Sequence, residues 1–246
     1  MNLDFFNRRA SVRNFSATRR LDTATLDTLL AAATHAPSTG NMQLYSVIVT
    51  EKPENKERLA ELHLGQPAAR NADVILTFCA DVRRFGAWCK ARKAASGLDN
   101  AGGRITAIID ATIFAQQFVT IAESNGIGCC YLGTVTYNLK GFSEALGCPD
   151  GVIPLFSVAV GYPAENTVPA VSDRLPLGAI VSREVYHDAS AADIDCYYAE
   201  KEKLEESKRF ISENAKETLA QVYSEVRYPR TLNEALGEQL LEVLTR

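Results

Sequence analysis

An α+β fold with one small central sheet is what the 246 residues predict. Three observations carry this: about four short apolar strands, helices set between them without strict βαβ alternation, and a charged tail with little strand signal after about residue 188. With 46% hydrophobic residues, the chain can build a sizeable core without staples.

The elements follow in order. Residues 22–36, "DTATLDTLLAAATHA", place Leu26, Leu29, Leu30 and Ala33 at helical spacing, with Asp22 or Thr23 as N-cap. Pro37 and Gly40 then force a loop, "PSTGNMQ". "LYSVIVT" (44–50) is a β-branched strand, 53–62 a helix, and "ADVILTFCAD" (72–81) a second strand. Residues 82–103 hold a short helix and a Gly-punctuated loop. "RITAIIDATIFAQQFVTIAESNG" (104–126) is apolar nearly all round, as a helix buried in a core or an interface would be, and Asn125 and Gly126 stop it. A strand over 127–134, a helix over 138–147 and a strand over 154–163 complete the core. Residues 191–246 read as charged helices broken at Tyr228-Pro229, packing on the core or on a partner subunit. The expected division is therefore a core, 1–190, and a helical C-terminal extension, 191–246.

Several function classes fall away. A net charge of −4 argues against general nucleic-acid binding. No apolar leader is read at the N-terminus, and no uninterrupted run reaches the ~20 apolar residues of a membrane helix, so a cytoplasmic protein without membrane contact is expected. The six cysteines form no CxxC and no Cys/His set has zinc spacing; reduced thiols and no metal are expected. "GIGCCYLG" fails the dinucleotide pattern because Tyr131 stands at the third glycine position. No phosphate loop, nucleophile elbow or HExxH exists, His35, His63 and His187 are scattered, and no isolated carboxylate pair stands in an apolar setting.

One cluster survives. "NRRASVRNFS" (7–16) sets Arg8, Arg9 and Arg13 around Ser11. Arginine offers a planar fork of donors that stays charged, and a phosphate monoester carries about −1.5 to −2 charges. Two arginines and a hydroxyl match it; a solvated basic turn is the plain alternative.

Four stretches in order sharpen the choice: "RASVRNF" (9–15), "APSTGNMQLYSVIV" (36–49), "GIGCCYLG" (126–133) and "VAVGYP" (158–163), with "GQPAARNADVILTFCAD" (65–81) and "DRLP" (173–176) beside them. Over about residues 3–188 the chain resembles the flavin-dependent nitroreductase family, most of all its NADPH-preferring branch of major nitroreductases and flavin reductases. The resemblance implies an α+β sandwich with a small mixed sheet flanked by helices. It also implies an interlocked homodimer with FMN at the interface and the helix 104–125 at its centre. By position, Arg9, Ser11 and Arg13 match residues on the FMN phosphate and ribityl chain, and Arg13 also the N1/O2 edge. Arg174 matches a phosphate arginine and Gln66 a side chain facing the pyrimidine edge. Ser38, Thr39, Asn41 and Gln43 match a loop from the other subunit; Tyr131, Leu132 and Gly133 match backbone near N5. No side chain is expected as catalytic acid or base.

Two departures remove positive charge near the phosphate: Ala10 and Ser172 stand where the family often has Arg and Lys. "EKEKLEESKRF" (200–210), where that branch has a basic loop for the 2′-phosphate, is charge-balanced. The implied activity is two-electron transfer from NADPH or NADH through FMN to nitroaromatics, quinones or free flavins by a ping-pong mechanism. A reductive dehalogenase, a flavin-modifying enzyme and a non-enzymatic flavin-binding protein remain as alternatives.

Overall fold

A computed structural model of the chain describes residues 3–165, 167 and 170–245. Its helices are α1 (Asp4–Asn7), α2 (Thr23–Ala33), α3 (Pro53–Leu62), α4 (Pro67–Asn71), α5 (Arg83–Ala91), α6 (Ala101–Ser124), α7 (Leu139–Leu146), α8 (Ala191–Lys203), α9 (Glu205–Glu213), α10 (Leu219–Gln221) and α11 (Arg230–Thr245). The strands are β1 (Tyr45–Thr50), β2 (Val74–Asp81), β3 (Gly128–Leu132) and β4 (Val152–Gly161). They form one sheet in the order β1-β2-β4-β3. Every pairing is antiparallel, so the expected mixed sheet is corrected to an antiparallel one. Apolar runs mark strands but carry no sign of their direction.

Packing divides the chain into two compact units, Met1–Val171 with Glu238–Arg246, and Ser172–Gly237. This division differs from the change in sequence character near residue 190. In the first unit the period of two along β2 sends Val74, Leu76, Phe78 and Ala80 to one face, against Leu26 and Leu29 of α2 and Phe114 and Phe118 of α6. Ile75 turns to the other face, where Leu59 of α3, Ala69 of α4 and Phe142 of α7 pack with Cys130 and Leu132. Two helical layers thus cover a sheet whose central strand β2 is buried throughout. Tyr45 stacks on Phe114 with ring centroids 4.4 Å apart.

The helix α6 begins at Ala101, three residues before the expected start. Asn100 caps it by accepting from Gly103 N at 3.0 Å, and Gly102-Gly103 disguises that first turn as loop. By length and mean hydropathy α6 could cross a membrane, which its interrupted apolar runs did not announce. Here Ala107, Ala111, Phe114, Ala115 and Phe118 of α6 lie in the core, while Ile105, Ile109 and Ile113 stay exposed. Two charged residues, Arg104 and Asp110, are buried on the same helix.

The second unit is mostly exposed. Ser190 and Asp193 form a capping box at the start of α8. α10 continues into a π-helix over Val222–Arg227, and Leu219 and Val222 are buried. Leu177, Ile180, Val185 and Tyr186 precede α8 as bare apolar side chains, Tyr186 at 84% exposure.

Candidate functional site

The basic run is held along the sheet edge by its backbone. Val12 N donates to Cys129 O at 3.0 Å, Ser16 N to Tyr162 O at 2.8 Å, and Ala164 N to Asn14 O at 3.0 Å. Val12 and Phe15 are buried between these bonds, which leaves Ser11 half-buried and Arg13 exposed. Gly128 makes this seating possible. A Cβ there would stand 2.6 Å from Val12 Cβ, so only glycine lets the run lie this close to β3.

The arginines of the run differ. Arg9 Nε donates to Glu123 Oε2 at 3.1 Å, Arg9 Nη2 lies 3.0 Å from Glu123 Oε1, and Nη1 is 3.4 Å from Ser11 Oγ. Glu123 is nearly buried, and burial pushes its carboxyl above the usual range against the lowering effect of Arg9. Arg13 makes no hydrogen bond or ion pair among the described residues. Arg8 donates from Nε to Asp4 O at 3.3 Å. Arg8, Arg9, Glu123, Gly128 and Pro163 line a cavity of about 290 Å³.

The loop 38–44 is held differently. Gly40, Asn41 and Gln43 all take left-handed backbone angles (φ 54°, 55° and 53°), a strain of about 1–2 kcal/mol for each non-glycine residue. Hydrogen bonds from below hold it in place. Thr39 N and Thr39 Oγ1 donate to Asp110 Oδ1 at 2.9 and 3.0 Å, and Leu44 N to Asp110 Oδ2 at 3.4 Å. Arg84 Nη2 donates to the Gln43 carbonyl and, at 2.7 Å, to that of Tyr45. Ser38 Oγ accepts from Gln43 N at 3.3 Å, and Gln43 Nε2 donates to Asn41 Oδ1 at 3.2 Å.

A third group joins the ends of α3 and β3. Gln66, at the N-cap of α4, donates from Nε2 to Thr134 Oγ1 at 3.3 Å. The same hydroxyl lies 2.7 Å from Nδ1 of His63, whose ring is fully buried against Phe142. Burial holds the His63 pKa down at about 4, so the ring is neutral at ordinary pH. Its Nε2 has no partner among the described residues. A proton on Nδ1 then leaves a bare lone pair in the core rather than a bare N–H, the cheaper orphan. Tyr131 and Leu132 end β3, Gly133 opens the following 3₁₀ turn, and Tyr131 Oη is 3.4 Å from Gln116 Oε1 on α6.

The structure therefore joins Arg9, Ser11 and Arg13 to the strand bearing Tyr131 and Leu132, and Gln66 to the turn that Gly133 opens. No hydrogen bond or ion pair among the described residues ties the loop of Ser38, Thr39, Asn41 and Gln43 to either. Arg174 belongs to the second unit, exposed, with Nη1 donating to the carbonyls of Ser172 and Asp173 at 2.9 and 3.1 Å. Within 200–210, Lys203 pairs with Glu200, Lys208 with Glu205 and Arg209 with Glu213, and Lys201 lies over the Tyr223 ring. A cavity of about 910 Å³ is lined by Arg83, Lys90, Arg104, Cys148 and Ile153, and by none of the candidate site residues named from the sequence.

Asp110, Glu123, His63 and Thr134 were not singled out from the sequence. For the two carboxylates a signal existed: each is a charge in a helix otherwise apolar all round, where a charge has to find a partner.

Comparison with known proteins gives the family. Residues 7–162 match the nitroreductase family. The chain is 34% identical over 179 residues to an "FMN reductase (NADPH)" of Bacillus subtilis (strain 168), covering 72% of this chain and 71% of that one. It is 32% identical over 176 residues to an "oxygen-insensitive NADPH nitroreductase" of Salmonella typhimurium, covering 72% and 70%. A solved chain from Bacteroides fragilis NCTC 9343 superposes with a TM-score of 0.94 at 44% identity, over 98% of this chain and 97% of that one. The chain belongs to the nitroreductase family.

Proposed function

We propose that the protein is an FMN-dependent NAD(P)H oxidoreductase that reduces small aromatic acceptors such as nitroaromatics, quinones or free flavins. The observation that carries this is the basic run seated on β3, with the Arg9 guanidinium held by Glu123 and 3.4 Å from Ser11 Oγ, and the exposed Arg13 making no hydrogen bond or ion pair among the described residues. A guanidinium without a protein partner in a run that also carries a hydroxyl fits the phosphate of FMN.

When bound, FMN supplies the two-electron redox chemistry. The chain supplies placement. Arg13 and Ser11 would hold the phosphate and ribityl chain, with Arg9 beside them, its Nε and Nη2 engaged by Glu123 and its Nη1 3.4 Å from Ser11 Oγ. Arg174 would add a second phosphate contact. Gln66, oriented through Thr134, would serve the pyrimidine edge, and the backbone at Tyr131, Leu132 and Gly133 the N5 side. Ser38, Thr39, Asn41 and Gln43 serve the flavin of the partner subunit in a homodimer, packed through the exposed Ile105, Ile109 and Ile113 of α6. Ala10 and Ser172 leave the phosphate with less positive charge than is usual. The NADPH named for the relatives supports that donor, although the paired cations of 201–209 add nothing to a preference over NADH. A cytoplasmic location fits the free cysteines, four of them buried.

With one redox group and no dinucleotide-binding pattern in the chain, donor and acceptor would share one site in turn, which would make turnover ping-pong. The test is an absorbance scan of the purified protein followed by steady-state turnover at varied NADPH and varied quinone. A yellow protein with parallel double-reciprocal lines supports the reading. A colourless protein overturns it, a yellow one that consumes no NAD(P)H makes it a flavin carrier, and intersecting lines overturn the shared face.

A further inference from the structure

We propose that Asp110 is a positioning residue for the flavin, acting through the loop 38–44 that it holds in a strained shape. This rests on the reading that the loop meets FMN. Asp110 is 1% exposed and pairs with no cation among the described residues. Three donors converge on its two oxygens instead: Thr39 N and Oγ1 on Oδ1, and Leu44 N on Oδ2. A buried carboxylate requires such donors, and here all three come from the loop. They bracket Gly40, Asn41 and Gln43, whose left-handed angles the loop would not hold alone. The geometry also selects a carboxylate over an amide. Asparagine has one acceptor oxygen, so an amide that keeps Thr39 turns its NH₂ towards the Leu44 N–H. Asp110 sits one residue from the exposed Ile109, so the helix side that meets solvent and the side that carries the loop belong to the same turn.

The test compares wild type with Asp110→Asn by FMN dissociation constant, from flavin fluorescence quenching, and by amide exchange at Thr39 and Leu44 in the flavin-free protein. The expected result is an FMN constant raised tenfold or more, with faster exchange at both amides and unchanged exchange along β2. Faster exchange with wild-type affinity overturns the positioning role, and unchanged exchange overturns the clamp. Wild type that binds no FMN overturns the flavin reading itself, and with it the role. Should Asp110→Asn fail to fold, Thr39→Val and Thr39→Ser keep the carboxylate. Val, lacking the hydroxyl, should weaken FMN binding at least threefold while Ser retains it. Equal affinities in Val, Ser and wild type overturn the proposal.

Discussion

The run 9–13 and the loop 38–44 are built on opposite plans. The run has ordinary backbone, fixed by the bond of Val12 to β3 and, just after it, by bonds of residues 14–16 to the chain that follows β4, and presents charged side chains. The loop has strained backbone, fixed by a buried carboxylate and by Arg84, and presents its shape. The difference is one of tolerance. A surface that works through charge survives small shifts, because Coulomb attraction falls slowly with distance. A surface that works through shape fails once its backbone relaxes.

The comparison can be broken first at Gly128. Gly128→Ala sets a methyl against Val12, a buried β-branched side chain with no room to move, and should cost about 3 kcal/mol while pushing the run off β3. Denaturant unfolding and flavin content should fall together. Wild-type stability would mean that the run is not seated as described.

Arg9→Ala separates the arginines. It leaves a nearly buried Glu123 carboxylate unpaired and should lower flavin-free stability by roughly 2 kcal/mol at neutral pH. The sign with pH follows from the raised carboxyl. Glu123 binds its proton more readily folded than unfolded, so its contribution is present at low pH and is lost as pH rises through its folded pKa. The defect should therefore fade on acidification. A pH-independent loss would assign it to packing.

Arg13→Ala should do the reverse. Melting of the flavin-free protein stays at the wild-type value, and FMN binding weakens by roughly 1.5 kcal/mol, about tenfold. Loss of stability here would erase the distinction between a held and a free arginine.

The smallest effect tests the loop's strain. Gln43→Gly removes a left-handed penalty but loosens the unfolded chain, so flavin-free stability should change by only about 0.5 kcal/mol. A fall above ~1 kcal/mol in thermal unfolding would show that the side chain, not the backbone angle, matters at this position.

Much of this was legible in the sequence because it is written in short-range pattern. Short apolar runs marked the four strands, and Pro37 with Gly40 marked the loop. Strand direction was not legible: β1 and β2 pair antiparallel although α3 and α4 lie between them, a matter of tertiary packing. The beginning of α6 was hidden by Gly102 and Gly103, poor helix formers rescued by the Asn100 cap. Motifs named candidate site residues, but nothing in the sequence named the residues that hold them in place. Asp110 lies 71 residues from Thr39 and Glu123 lies 114 from Arg9, separations at which a single sequence carries no pairing signal.

Asp110 and Glu123 stand on one helix, about 20 Å apart along its axis. The basic run and the strained loop, far apart in sequence, thus hang from a single rod. Each is tied to a helix that sets Ala107, Ala111, Phe114, Ala115 and Phe118 in the core. Opening of α6 would release both at once, so the run and the loop should lose their shape together rather than one by one.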